Sequence, residues 1–349
     1  MRFRNSNHEL LRLIAMYMIV RIHANMYLYH FYTGNLSTVL NGVVNGICNT
    51  GVTCFILISG YYGIKFDFKK LVRLECMMIS YSLLETGVLC IMFPEQMKGA
   101  VLLEQTVKSL MPFISRKYWF YSCYICLFLF SSYIDKLIEA LSQTELKRLL
   151  LLSLLVFSVM PTVFYFEIVP DNGKGLVQML MVYMIGRYIR LYGNWEMTRK
   201  KALLIIGVLW TINGISHELP IRLGGIYHHL CKDNSITNLV MAVVLFNLFK
   251  EMSFQSRGIN KISGCVFAVF ALNNSLVNVT MGTLIERGLQ GRNGIDGFLM
   301  LEGTTLTIFA VCLIIGLARE GILGRLDRRI GVWVEALVVP RMDQNYNSK

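Results

Sequence analysis

Two residues within the first thirty have the types and spacing for a shared piece of chemistry, Arg12 and His23. A guanidinium is a permanent cation that binds anions through a fork of donors, and an imidazole titrates near neutrality and is the commonest protein proton acceptor. Eleven positions separate them, three helical turns, so on one helix they fall within roughly 20° of a single face and roughly 16 Å apart along the axis. The helix that must carry them is apolar from about Leu10 to Tyr29, long enough to cross a hydrocarbon core, which takes roughly 20 residues. Ionisable groups in such a helix are costly unless they face a bundle interior or a water-filled cavity. A cation near the membrane surface and an imidazole deeper in, aligned on one stripe, read as parts of a site. Arg21 lies about 200° around from His23 and calls for a carboxylate, for which Glu75 and Glu85 are the expected partners. His23 is expected to be the only imidazole clearly inside the membrane.

The rest of the chain supplies elements to position these groups. Of 349 residues, 54% are hydrophobic and 16% charged, against about 25% charged in soluble domains. Apolar runs near 8–30, 43–63, 72–92, 118–138, 147–163, 175–191, 202–217, 235–252, 262–283 and 298–318 predict about ten transmembrane helices. With the N-terminus inside, 24 of the 34 lysines and arginines fall on the cytoplasmic side and nine on the other. That asymmetry predicts an all-α integral membrane protein with both termini cytoplasmic. Its organisation is expected as a transmembrane domain over 1–330 and a cytoplasmic tail over 331–349. The net charge of +12 follows from this topology and the anionic inner leaflet. Its dispersal over five loops and two termini argues against a nucleic-acid partner. The basic N-terminus with its apolar stretch reads as a signal anchor, since no small-x-small cleavage site follows.

Nine cysteines are present, and eight lie in or against predicted spans, as small apolar packing residues rather than a disulfide framework. Cys123-x-x-Cys126 has redox spacing but is embedded in YSCYICLFLF, which reads as packing. His217, His228 and His229 fall on outer loops with no cysteine or carboxylate at ligand spacing, so no metal is expected. The segment Val101–Ile114, interrupted by Glu104 and Lys108, reads as an interfacial or re-entrant helix.

The N-terminal run RNSNHELLRLIAMYMIVRIH resembles the opening of acyltransferase family 3, the integral membrane O-acyltransferases. The family opens with an acidic residue, a Leu-Arg and a histidine at R-x10-H spacing, matched by Glu9, Leu11, Arg12 and His23. Its second span ends in a Phe-x-x-x-Ser-Gly-aromatic signature, matched by Phe55, Ser59, Gly60 and Tyr61. A basic pair follows as Lys70-Leu-Val-Arg73, and an aromatic motif opens the fourth span as Trp119-Phe120-Tyr121 with Tyr124 downstream. Three departures stand out: Glu9 replaces the common Asp, Lys70 replaces the usual Arg, and Ala271-Leu272-Asn273-Asn274 replaces a motif often ending in Leu-Ile-His. The last raises the question of a role for Asn274.

The resemblance implies a transferase that moves an acyl group, most often acetyl, from acyl-CoA to a sugar hydroxyl of a cell-surface glycan or its lipid-linked precursor. Acyl transfer to a hydroxyl needs a base, a thioester or ester donor, and a seat for the anionic carrier. On this reading His23 is the catalytic base and Arg12, Lys70 and Arg73 bind the carrier phosphates at the inner mouth. Glu9, Ser59, Trp119 and Tyr121 are the candidate substrate-lining residues. Acyl-CoA is a co-substrate, with no permanently bound cofactor, and the location is the plasma (inner) membrane, crossed several times. The alternative is a flippase or transporter for such a glycan, whose expected broken helices and internal symmetry are not evident in the sequence.

Overall fold

Ser142, Ser235, Ser256 and Asp67 each stand immediately before a helical run, and each uses its side-chain oxygen to accept a backbone N–H of the first turn. Ser142 goes further, forming a reciprocal capping box with Glu145, which satisfies two donors that a helix start leaves orphaned. The computed structural model describes residues 5–28, 36–223, 230, 232–280 and 294–346, and among these every regular element is helical.

The first half comprises α1 (Ser6–Leu28), α2 (Leu36–Cys48), α3 (Thr50–Tyr62), α4 (Phe68–Met92), α5 (Gly99–Leu110) and α6 (Trp119–Ala140). Then come α7 (Gln143–Leu154), a π-helical turn (Leu155–Val159), α8 (Met160–Phe164), α9 (Leu176–Tyr192) and α10 (Arg199–Leu223). The chain continues through α11 (Ile236–Lys250), α12 (Arg257–Ser263), α13 (Val266–Thr280) and α14 (Ile295–Tyr346). Most described residues of the ten apolar segments read from the sequence are helical, with breaks at Asn49 and at Gly264 and Cys265 that divide two of the segments between successive helices. Four stretches, Val39–Tyr62, Phe68–Met92, Gln143–Phe164 and Ile295–Val338, reach the length and apolarity needed to cross a bilayer. Large apolar side chains such as Ile91, Phe164, Leu204 and Ile322 are exposed around the bundle, a surface suited to lipid rather than water. The chain is a membrane protein.

α5 takes up most of the stretch expected to be interfacial, and Val101, Leu103 and Val107 on it are exposed. α14 runs unbroken for 52 residues, about 78 Å at 1.5 Å per residue. The expected boundary at 330/331 therefore falls inside one helix.

α1 is the hub, packing against α2, α3, α11, α12, α13 and α14. Leu11, Ala15, Met16, Val20 and Ala24 are buried on several sides of it, which is why it is apolar all round. α3 and α9 make the tightest pair. A Cβ on Gly60 would overlap the Tyr183 carbonyl, and one on Gly186 would sit 2.6 Å from the Leu57 carbonyl oxygen. Mutual glycines let two backbones meet in this way. α3 then stops at Gly63, whose φ of +71° costs a glycine little.

Candidate active site

His23 lies on the half of α1 nearer its C-terminus, and its Nδ1 is hydrogen-bonded to Oδ1 of Asn273 on α13. Asn273 is fully buried, and its Nδ2 donates to the carbonyls of Val269 and Phe270, each at 2.8 Å. The charge of Lys174, in the segment leading into α9, reaches His23. The same lysine acts on Asp233, in the connection before α11, whose carboxyl burial pushes up to about 7 against the pull of that charge. Nearby, Glu167 accepts the Asn172 N–H and pairs with Lys232 at 3.3 Å. The connection before α9 is thus pinned to the one before α11.

At the end of the bundle where α1 begins lies a cavity of about 750 Å³. Lys70, Arg73, Lys261 and Glu320 bring charge to its wall, and Leu74, Met77, Phe128 and Phe267 line it with apolar surface. Arg73 binds both carboxylate oxygens of Glu320 at 2.9 Å, and Glu320 also takes Arg328 at 3.1 Å. Lys70 is more loosely held, 3.7 Å from Asp67 and largely exposed. Tyr124 lines the same cavity, hydrogen-bonds Ser59 and feels the charge of Arg12. Arg12 pairs with Glu9 at 2.8 Å, and the other Glu9 oxygen accepts from Ser263 at 2.6 Å. Glu9 therefore holds Arg12 and ties α1 to α12.

The structure brings Lys70 and Arg73 to the wall of one cavity, with Ser59 and Arg12 behind its Tyr124 and His23 further along the same face of α1 as Arg12. It does not bring Tyr121 there: that ring is buried and its hydroxyl donates to Glu75. Trp119 is half-buried at the start of α6, edge-on to Phe120. The Asn274 side chain lies outside the described residues, as do His228 and His229 and the side chain of His217.

One expectation is corrected. Arg21 pairs with Glu302 of α14, not with Glu75 or Glu85. Those two are engaged elsewhere, Glu75 by Tyr121 and Glu85 by Lys117 and Tyr118. The packing of α1 on α14 makes Glu302 the near carboxylate, and Tyr17, one turn before Arg21, donates to it as well at 2.8 Å. A second imidazole lies near the other end of α1. His8, in the first turn of α1, is buried, stacked on Phe246 and hydrogen-bonded to the Tyr62 hydroxyl at 2.6 Å.

Three contributors went unread in the sequence. Lys261 and Glu320 lie in short polar stretches indistinguishable from ordinary cytoplasmic charge, and no signal marks them. Asn273 had one, an amide inside an apolar run, which in a membrane helix asks for a partner.

A family model described as an acyltransferase domain, that of acyltransferase family 3, matches residues 5–319. The chain belongs to this family. The match opens at the start of α1 and ends at Arg319, so this acyltransferase keeps Arg12, His23, the basic pair and Asn273 inside the domain. The last 27 described residues of α14 follow it as a continuation of the same helix. No curated protein and no solved structure matches the chain.

Proposed function

We propose that this membrane acyltransferase moves an acyl group, acetyl foremost, from a cytoplasmic acyl-CoA to a hydroxyl of a cell-surface glycan or its lipid-linked precursor. The enzyme sits in the plasma membrane as a multi-pass protein. The observation that carries the reading is the cavity joining three cationic side chains to an apolar wall, whose Tyr124 feels the charge of Arg12 on the α1 stripe that carries His23. A carrier with several phosphates and a thioester arm has matching chemistry. Phosphates suit Lys70, Arg73, Lys261 and Arg12, and the arm suits the apolar wall and the roughly 16 Å to His23.

In this reading the acceptor hydroxyl gives its proton to His23 as its oxygen attacks the thioester carbonyl. The carbon–sulfur bond breaks, and the leaving thiolate takes the proton from the imidazolium. The products are the ester and free CoA. Such a base contributes on the order of 10²–10⁴ in rate.

The test is acetyl transfer from radiolabelled acetyl-CoA into glycan in membranes carrying full-length protein at matched abundance. His23→Ala and His23→Gln should both lose transfer by at least two orders of magnitude. Glutamine keeps hydrogen bonding and approximate size but takes no proton near neutrality, so substantial transfer by His23→Gln would end the base assignment.

A further inference from the structure

We infer that Asn273 is a positioning residue that fixes His23 in the Nδ1–H tautomer, leaving Nε2 as the nitrogen that accepts the acceptor's proton. The catalytic half of this inference rests on the proposed role of His23, whereas the tautomer itself does not.

The argument starts from Asn273. Its amide has two N–H donors and one acceptor oxygen. Nδ2 is 2.8 Å from the carbonyl oxygens of Val269 and Phe270, residues four and three positions earlier on α13. Both amide protons are thereby used. Turning the amide over would set Oδ1 against two carbonyl oxygens, acceptor facing acceptor, at a fully buried position where such contacts go uncompensated. The amide has one tolerable orientation, and it presents Oδ1 to His23 Nδ1.

An amide oxygen only accepts. A neutral imidazole carries one N–H, so facing Oδ1 the proton must be on Nδ1, and the lone pair belongs to Nε2. In water the two tautomers exchange freely, and here one is selected before substrate arrives. The proton taken from the hydroxyl goes to Nε2 and leaves from Nε2 to the thiolate, while the Nδ1–H stays on Asn273 throughout. Asparagine also holds the ring without adding a formal negative charge. A carboxylate in its place would stabilise the imidazolium and keep the proton on the ring.

The decisive measurement is nitrogen NMR of full-length protein labelled with ¹⁵N-histidine in lipid, with the His23 signals identified by their loss in His23→Gln. In wild-type protein at neutral pH the expected result is a protonated Nδ1 and a bare Nε2. A protonated Nε2 with bare Nδ1 would overturn the inference with no reference to activity. Asn273→Leu should let the second tautomer appear and lower maximal transfer at least tenfold with an unchanged acetyl-CoA requirement. Asn273→Asp retains the acceptor oxygen and should move the rising limb of the pH–rate profile towards higher pH. Wild-type rate and profile in both folded variants would refute a positioning role. The expected tautomer in an enzyme whose His23→Gln variant remains active would sink the proposed base and leave the tautomer standing.

Discussion

Arg12 and Arg21 are the same residue on the same helix, nine positions and therefore about two and a half turns apart, on opposite faces, and their surroundings could hardly differ more. Arg12 keeps a quarter of its side chain exposed, pairs with Glu9 and acts by its charge on Tyr124, which lines a large cavity. Arg21 is wholly buried, its Nε on Glu302, its Nη2 donating to Asn41 at 2.5 Å, and its Nη1 without a hydrogen-bond partner among the described residues. Exposed surface remains at the first and not at the second. The lesson is that a cation in a membrane helix gets its role from what the neighbouring helices leave around it. Under the proposed function Arg12 would meet an anion that comes and goes, whereas Arg21 ties α1 to α2 and α14.

The comparison can be broken most sharply at Arg21. Removing one partner of a buried pair leaves an uncompensated charge and costs about 3–5 kcal/mol. Arg21→Ala should therefore lose most of its folded yield and unfold at a clearly lower temperature in detergent. Replacing Arg21 and Glu302 together with leucine should recover much of that loss. An Arg21→Ala protein as stable as wild type but defective in transfer would put the anion site on the wrong arginine.

The next effect belongs to the cavity. Hydrogen bonds to charged groups are worth about 1.5–3 kcal/mol, so Arg12→Ala and Arg73→Ala should raise the acetyl-CoA KM by about tenfold to a hundredfold. Maximal rate should change less, because phosphate contacts of the carrier persist from ground state to transition state. Glu320→Gln, which releases Arg73 from its bidentate partner, should lower that KM. An unchanged donor requirement in folded Arg12→Ala and Arg73→Ala proteins would return both residues to a purely topological role.

The smallest effect calibrates the other two. Glu145 is a charged residue in neither environment, exposed at the start of α7 and engaged by the Ser142 cap. Ser142→Ala should cost about 1 kcal/mol in thermal stability and leave the acetyl-CoA KM untouched. A shift in KM there would mean that donor requirement in this protein follows general stability, which would blunt the contrast between the two arginines.

Much of the site was legible without coordinates, because helical periodicity is a covalent property. Eleven residues on an apolar helix align Arg12 with His23 whatever surrounds them, and nine residues oppose Arg12 to Arg21. Ser142 with Glu145 announces a helix start, and Gly60 announces a close approach, from residue chemistry alone. Partner choice was not legible. Glu302 is 281 positions from Arg21, and Asn273 is 250 from His23. Nothing local separates Glu302 from Glu75 or Glu85 as a counter-charge. That choice depended on α1 packing against α13 and α14 while Tyr121, Tyr118 and Lys117 engaged the carboxylates of α4.

By itself, then, the sequence determined a membrane-embedded, all-helical acyltransferase with an arginine and a histidine on one stripe of its first helix. The tertiary structure alone decided which arginine keeps exposed surface, which is locked in the core, and which amide holds the imidazole. The physical reason is range. Helix period, caps and apolarity act over a few bonds or a few turns, whereas pairing a buried charge is settled by which helices lie side by side, a property no short stretch of this chain encodes.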